Sequence, residues 1–166
     1  MLQPLDPDCL FGSLHGHGVG YVLIGGMAAV LHGSPTVTND ADIVPDPHPD
    51  NLARLSAALV DLAARIRTVD DPEGIRFDPH PALMASMAML NLTTRCGNLD
   101  LAFSPAGIED YAELSGRAVS FDLDGTPVMV ASLDDVIGSK EAADRPRDRA
   151  ALPVLYALRE EIERER

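Results

Sequence analysis

The sequence predicts an α/β (α+β) protein built on a mixed β-sheet, with helices packed mainly on one face of the sheet. Two observations lead to this fold class: apolar segments of strand length alternate with helical segments, and two pairs of strands are arranged as hairpins. With 166 residues, 46% of them hydrophobic, the chain can bury one core. We therefore expect a single domain over residues 1–166, in which C-terminal helices within residues 132–166 pack on the core.

Local patterns place the elements in chain order. The segment 50–65 has leucines at helical spacing, the turn Asp124-Gly125 joins the second pair of strands, and Ser132 starts a C-terminal helix as a capping box. Residues 66–77 are broken by Pro and Gly and are expected to form a short strand and a loop. In full, we expect helices at residues 7–16, between the glycines at 26 and 33, and at 50–65, 81–87, 133–143 and 147–163. We expect strands at 20–24 and 39–44, two strands within 90–103 around a turn at 95–98, and strands at 118–123 and 127–130.

An acidic pair lies on the second predicted strand. Asp40 and Asp42 are two residues apart, so their side chains share one face of the strand, while Ala41 and Ile43 point into the fold. Two neighbouring carboxylates repel each other unless a cation holds them. Oxygen ligands at this spacing suit Mg²⁺, which binds through one or two carboxylates together with substrate phosphates.

A glycine pair lies between the first strand and the following helix. Gly25 and Gly26 allow backbone N–H groups to approach a phosphate closely, at a helix N-terminus that favours negative charge. Gly33 ends this helix as a C′ glycine, and Ser34, which follows it, is a further candidate phosphate contact. The alternative interpretation of the whole segment is a tight turn followed by a solvated acidic strand end.

The order of these features resembles a known group of enzymes. Gly25-Gly26 followed by Asp40-Ala41-Asp42 is similar to the signature of the nucleotidyltransferase superfamily typified by DNA polymerase beta. The wider context, GGMAAVLHG and then T-x-D-x-DI, most resembles the AbiEii-type nucleotidyltransferases, many of which are toxins of toxin–antitoxin pairs. The resemblance implies a nucleotidyltransferase-like sheet, a nucleoside triphosphate (NTP) substrate and Mg²⁺, with two ions expected. It also implies a tRNA or protein acceptor and a cognate antitoxin as partners.

A third carboxylate lies on the first predicted hairpin. Asp100 sits between Leu99 and Leu101 on an alternating strand, where a surface-facing Asp is the alternative interpretation. The resemblance implies that Asp100 completes the metal site with Asp40 and Asp42. Three carboxylates can hold two Mg²⁺ ions, one beside the attacking hydroxyl and one beside the leaving pyrophosphate.

A basic segment follows the last hairpin. The resemblance implies that Lys140, Arg145, Arg147 and Asp148 contact the nucleotide, and it leaves open which of the two arginines does so. A Lys neutralises charge that develops on phosphates, and an Arg clamps a phosphate in a bidentate fashion. The alternative for Lys140 is a solvated helix residue. The chain departs from the family at residues 150–152, where an acidic residue before Leu is more usual.

The composition of the chain argues against several classes of binding partner and indicates a cellular location. The net charge is −13, from 13 Lys+Arg against 26 Asp+Glu, which argues against broad binding to duplex DNA or long RNA. We expect no membrane partner, because no hydrophobic stretch is long enough to span a bilayer. Cys9 and Cys96 have no zinc or redox spacing and are expected to be free thiols in a reducing cytoplasm.

Three functions from different classes fit these features. The first is a metal-dependent nucleotidyltransferase toxin acting on a tRNA 3′ end or a protein hydroxyl, which the resemblance favours. The second is a nucleotidyltransferase of a small molecule such as an antibiotic, with an acidic substrate pocket built from Glu109, Asp110 and Glu113. The third is a catalytically inert binding module on the same fold, which is disfavoured because all three carboxylates and Lys140 are present.

Overall fold

The structure, a computed structural model, describes residues 3–166 and confirms the predicted α/β class. Within these residues it contains seven strands in one mixed sheet and seven helices. The strands are β1 (Tyr21–Ile24), β2 (Asp40–Pro45), β3 (Arg65–Ile66), β4 (Met89–Thr94), β5 (Gly97–Ala102), β6 (Val119–Leu123) and β7 (Thr126–Val130). The helices are α1 (Pro7–Gly16), α2 (Gly25–Leu31), α3 (Pro49–Asp61), α4 (Pro81–Ser86), α5 (Tyr111–Arg117), α6 (Leu133–Ala143) and α7 (Pro146–Arg164).

The sheet has the strand order β3-β4-β5-β2-β1-β7-β6. Strand β2 runs antiparallel to β1 and parallel to β5, so the two acid-bearing strands are direct neighbours near the middle of the sheet. The predicted hairpins are β4–β5 and β6–β7, and the second turns at Asp124-Gly125 as expected. This topology brings β2 and β5 together although 51 residues separate the end of β2 from the start of β5 along the chain.

One hydrophobic cluster joins the sheet to helices from both ends of the chain. The leucines of the α3 segment are buried, which confirms the helical spacing read from the sequence. Val136 and Ile137 of α6 and Leu152 and Leu155 of α7 belong to the same cluster. Burial of this apolar surface is the main favourable term that holds the helices on the sheet. The helices that carry Lys140 and Asp148 are thereby fixed relative to the acidic strands.

The observed elements differ from the predicted ones in two places. Helix α3 ends at Asp61 rather than at residue 65, because Ala63 adopts a left-handed backbone conformation with φ 51°. Helix α5 was not predicted. Its N-cap, Asp110, accepts a hydrogen bond from the backbone N–H of Glu113 at 2.7 Å. No helix in residues 3–166 is long and apolar enough to cross a membrane.

The prediction of two free thiols was wrong, because Cys9 and Cys96 form a disulfide. Their Cα atoms are 5.7 Å apart, and the bridge ties α1 to the turn between β4 and β5. The backbone N–H of Asp6 donates to the carbonyl of Cys96 at 2.9 Å and supports the same junction. Disulfides are rare in reducing compartments. The cytoplasmic location stays a prediction, and this bridge is the observation that stands against it.

Reduction of the bridge is expected to lower the free energy of unfolding by about 2–4 kcal/mol, since the bridge closes a long loop in the unfolded chain. The measurement is urea unfolding with and without a thiol reductant. The control is the double variant Cys9→Ser/Cys96→Ser, which should have the reduced protein's stability in both conditions. Equal midpoints for oxidised and reduced wild type would contradict a stabilising role.

Candidate active site

A cleft of about 860 Å³ opens beside the sheet where β1, β2 and β5 face α6 and α7. Its lining contains nine of the ten site residues predicted from the sequence: Gly25, Gly26, Asp40, Asp42, Asp100, Lys140, Arg145, Arg147 and Asp148. The exception is Ser34, which is buried and whose hydroxyl lies 3.0 Å from that of Thr36. The phosphate contact proposed for Ser34 therefore has no support from its position.

Strand register brings the three carboxylates to one face of the sheet. In the parallel pair β2–β5, Asp42 is the direct partner of Asp100, and Asp40 is the partner of Asn98. The alternate residues of these strands, including Ala41, Ile43 and Leu99, are fully buried in the core. Because side chains alternate between the faces of a strand, Asp40, Asp42 and Asp100 all face the cleft.

The acidic cluster alters the protonation of its members. Burial, and then the negative charge and side-chain hydrogen bond of Asp100, raise the pKa of Asp42 to about 7. Burial also raises the pKa of Asp100, although the adjacent Arg67 opposes the rise. Carboxylates held this close cannot all be charged without a compensating cation. The cluster therefore favours either a shared proton or a bound cation at neutral pH.

The residues of the cluster fit a hard divalent cation such as Mg²⁺ in their chemistry. Asp40 and Asp42 supply carboxylate oxygens, and the buried Oδ1 of Asn98 has no hydrogen-bond partner within residues 3–166. Asn98 donates its Nδ2 to Asp40 Oδ1 at 3.2 Å, which orients that carboxylate. As the side chains stand, no three Asp, Glu, His or Cys residues in the described part of the chain are placed to hold a metal ion.

Gly25 lies directly against the acidic pair, at the start of α2. Its φ is +71°, and a Cβ built there would lie 2.5 Å from Asp42 Oδ2. Both the backbone conformation and the close approach require glycine at this position. Gly26 is less restricted, since a Cβ would lie 3.2 Å from the hydroxyl oxygen of Thr38. The absence of a Cβ at Gly25 therefore leaves the space that the Asp42 carboxylate occupies.

Replacing Gly25 with Ala is expected to displace Asp42 and to lower the free energy of unfolding by roughly 1–3 kcal/mol, because Ala is strained at positive φ and meets the carboxylate. Chemical denaturation measures the stability change. The matched control is Gly12→Ala in α1, where a Cβ meets nothing within 4 Å. A Gly25→Ala protein as stable as the Gly12→Ala protein would show that the contact is easily relieved.

The basic side of the cleft is organised around one buried acid. Asp148, of which 1% of the side chain is exposed, lies 2.7 Å from Arg145 Nε and 3.8 Å from Lys140 Nζ. It also accepts a hydrogen bond from the backbone N–H of Arg145 and so caps α7. Although burial acts in the opposite direction, these hydrogen bonds hold the pKa of Asp148 below its usual value. Asp148 is therefore a charged anchor that positions Lys140 and Arg145.

The structure distinguishes the two arginines that the sequence left equivalent. Arg145 is engaged by Asp148 through its Nε and an NH2 group. Arg147 is exposed and lines the cleft, and it has no hydrogen-bond or ion-pair partner within residues 3–166. Its positive charge acts on Asp42 and lowers that residue's pKa, against the larger effect of burial. Arg147 is thus the guanidinium in the cleft that is free to bind an anionic substrate.

Sequence reasoning missed Arg67, which also lines the cleft. One NH2 group of Arg67 lies 2.9 Å from Asp100 Oδ1, and its NH1 donates to the carbonyl of Leu92 at 2.7 Å. Arg67 follows directly after β3, in the segment broken by Pro and Gly. No local pattern marks the residue, because its partner lies 33 positions away on another strand.

No protein-family profile and no curated protein sequence matches the chain, but several solved structures are similar in fold. The lincosamide antibiotic adenylyltransferase LnuA, solved with lincomycin bound, has a TM-score of 0.61 at 13% identity, over 94% of this chain and 99% of LnuA. ANT(2")-Ia, in complex with adenylyl-2"-tobramycin, has a TM-score of 0.52 at 15% identity over 94% of both chains.

A third similar structure is a nucleotidyltransferase-like protein from Paracoccidioides brasiliensis. Its TM-score is 0.55 at 15% identity, over 93% of this chain and 77% of the other. Identities this low establish the fold and leave the activity to be argued from the site. The predicted AbiEii-type branch finds no support among these structures and stays a prediction. The chain therefore has the fold of the nucleotidyltransferases, as its glycine pair and acidic strand predicted.

Proposed function

We propose that the protein is a Mg²⁺-dependent nucleotidyltransferase that moves a nucleotidyl group from an NTP to an acceptor hydroxyl. The observation that carries this proposal is the arrangement of charge in one cleft. Asp40, Asp42 and Asp100 lie on its sheet side, and Lys140 and Arg147 lie on its helix side. An acidic cluster opposite phosphate-binding cations is the arrangement that phosphoryl-group transfer requires, since both metal and phosphate charge must be compensated.

Each residue has a defined part in the transfer. The acceptor oxygen forms a bond to the α-phosphorus, the bond to the bridging oxygen of the β-phosphate breaks, and pyrophosphate leaves. Asp40 and Asp42 would hold Mg²⁺, which lowers the charge on the phosphates. Asp100 would complete this set, and its carboxylate would accept the proton of the acceptor hydroxyl. Lys140 and Arg147 bind the phosphates, and Gly25 and Gly26 let the backbone approach them.

For the acceptor, the resemblance to AbiEii-type proteins favours a tRNA 3′ end or a protein hydroxyl, with the protein acting as a toxin neutralised by an antitoxin. The net charge of −13 limits nucleic-acid contact to the vicinity of the cleft. Of the three arginines at positions 145, 147 and 149, Arg145 and Arg149 pair with Asp148 and Asp144, so Arg147 carries the charge available to a nucleic-acid phosphate. A tRNA end would reach the cleft without contact along a long duplex. Duplex DNA is not expected as a partner.

A specific observation favours a small-molecule acceptor as the second candidate. A cavity of about 190 Å³ adjoins the cleft and shares Pro105 with it. Apolar side chains including Phe103, Ile108 and Tyr111 form its walls, and Glu109 and Asp110 lie on it. Two of the three acids that the sequence suggested for such a pocket are therefore present there. A hydroxyl compound with an apolar body and an amine would suit this lining.

The test is incubation with each of the four radiolabelled NTPs and Mg²⁺ in the presence of three acceptor pools: total RNA, total protein, and a panel containing lincomycin and tobramycin. The Asp42→Ala variant is the control. Label in a small RNA or a protein, lost in the control, supports the first candidate. Label on a panel compound, with KM for that compound raised by Glu109→Gln, supports the second. No release of pyrophosphate with any pool would overturn the proposed function.

A further inference from the structure

Asp100, one of the three carboxylates of the proposed metal site, forms an ion pair with Arg67. Arg67 and Asp100 are both largely buried, with 19% and 13% of their side chains exposed, and the charged groups are 2.9 Å apart. Asp100 Oδ1 accepts a hydrogen bond from Arg67, and Asp100 is also the direct strand partner of Asp42. The guanidinium of Arg67 therefore engages Oδ1 of Asp100 and places a full positive charge beside the acidic cluster.

This contact opposes cation binding in two ways. A divalent ion that uses all three carboxylates needs Asp100, whose Oδ1 now accepts a hydrogen bond from Arg67. In addition, a guanidinium at this distance repels a second cation strongly, because the site is partly shielded from water. Arg147 acts electrostatically on Asp42 in the same cluster, but within residues 3–166 no ion pair or hydrogen bond joins Arg147 to Asp100.

The position of Arg67 at the edge of the sheet allows its guanidinium to move away from Asp100. The residue lies just past the end of β3, a strand of two residues at the edge of the sheet. Among residues 3–166, its guanidinium makes two hydrogen bonds, one to the carbonyl of Leu92 and one to Asp100. The backbone N–H of Arg67 donates to the carbonyl of Asn91 and fixes only the base of the side chain. Because Arg67 lines the cleft, the released guanidinium would remain beside the substrate phosphates.

We propose that Arg67 is a built-in counter-ion that competes with the divalent metal for Asp100, so that metal loading requires the Arg67–Asp100 ion pair to open. This inference rests on the proposed function, because it takes Asp40, Asp42 and Asp100 as the metal site. It makes Arg67 a positioning residue that controls when Asp100 is available to the metal and to the acceptor proton.

The experiment measures Mn²⁺ binding to chelator-treated, nucleotide-free protein by the electron paramagnetic resonance signal of free Mn²⁺. Arg67→Gln is expected to bind Mn²⁺ about tenfold tighter than wild type, since a competing charge is removed. The matched control is Arg117→Gln, which removes the same charge from an ion pair with Asp135 outside the cleft. It should change Mn²⁺ affinity less than twofold.

A double-mutant cycle with Asp100→Asn assigns the effect to the ion pair. In that background, Arg67→Gln should tighten Mn²⁺ binding by clearly less than tenfold, because only the through-space repulsion between Arg67 and the ion remains to be removed. Unchanged or weaker binding by Arg67→Gln, with wild type binding measurably, would overturn the role of Arg67 and leave the proposed metal site intact. If no variant binds Mn²⁺, the metal site itself fails. If Arg67→Gln does not fold, Arg67→Lys replaces it. This variant keeps the positive charge, so its Mn²⁺ affinity should match that of the wild type. Tenfold tighter Mn²⁺ binding by Arg67→Lys would contradict the proposal.

Discussion

Replacing Asp42 with Asn is expected to abolish nucleotidyl transfer while making the folded protein more stable. Transfer should fall by at least about 10³-fold, because the neutral amide at this position can no longer join Asp40 and Asp100 in the proposed metal site. Stability should rise by roughly 1–3 kcal/mol at pH 8, because a buried carboxylate beside another is replaced by a neutral isostere.

The pH dependence of this stability difference has a definite sign. The pKa of Asp42 is raised to about 7 in the folded protein, against about 4 in the unfolded chain. Between these values the folded protein holds a proton that the unfolded chain has released, so Asp42 makes stability fall as pH rises. The advantage of Asp42→Asn should therefore grow from pH 4 to pH 7 and level off above it.

Two measurements check this prediction. Urea unfolding across pH 4–8 gives the stability difference, and the labelled-NTP assay gives the transfer rate. The exposed Asp78 provides the control, since Asp78→Asn makes the same chemical change outside the cleft and should alter neither quantity. Transfer retained by Asp42→Asn would remove the metal-site assignment, and a loss of stability at pH 8 would contradict the repulsion inferred between Asp42 and Asp100.

Replacing Asp148 with Asn is expected to weaken both activity and stability, in contrast to the change at Asp42. Asp148 is the buried partner of Lys140 and Arg145 and caps α7. Removing its charge leaves two cations without their anchor, so transfer should fall by about 10²-fold. The free energy of unfolding should fall by roughly 1–3 kcal/mol, because charged hydrogen bonds to a buried acceptor are lost.

The loss of stability should also depend on pH. Because the pKa of Asp148 is lowered on folding, its stabilising contribution is present above the unfolded value of about 4 and disappears as pH falls through the folded value. Urea unfolding at pH 3 and pH 7 tests this trend. Asp144→Asn is the control, since its ion pair with Arg149 is exposed and should contribute little. Equal destabilisation by both variants would contradict an anchoring role for Asp148.

The sequence predicted the parts of the site that are carried by local patterns. Alternation along a single strand placed Asp40 and Asp42 on one face. The glycine pair was predicted to approach a phosphate, and the close approach of Gly25 to Asp42 became visible only in the structure. The leucines of α3 and the turn at Asp124-Gly125 were also readable, since their signals lie within a few residues. Local periodicity was therefore sufficient for most elements.

The features that the sequence did not predict all join distant segments. Arg67 meets Asp100 across β4, and Cys9 meets Cys96 at a separation of 87 residues. Neither pairing has a local signature, because each depends on which strands are neighbours in the sheet. The short helix α5 was missed for a different reason: its seven residues include Ser and Gly, and its main signal is the N-cap Asp110.

The proposed activity depends on the register in which β2 pairs with β5, because this register aligns Asp42 with Asp100. A slip of one residue between these strands would turn Asp100 into the core and bring Leu99 or Leu101 to the cleft. A misregistered chain would thus bury a carboxylate and lose the proposed metal site in the same step. Recovery of transfer after refolding would consequently count only the molecules whose strands had found the native register.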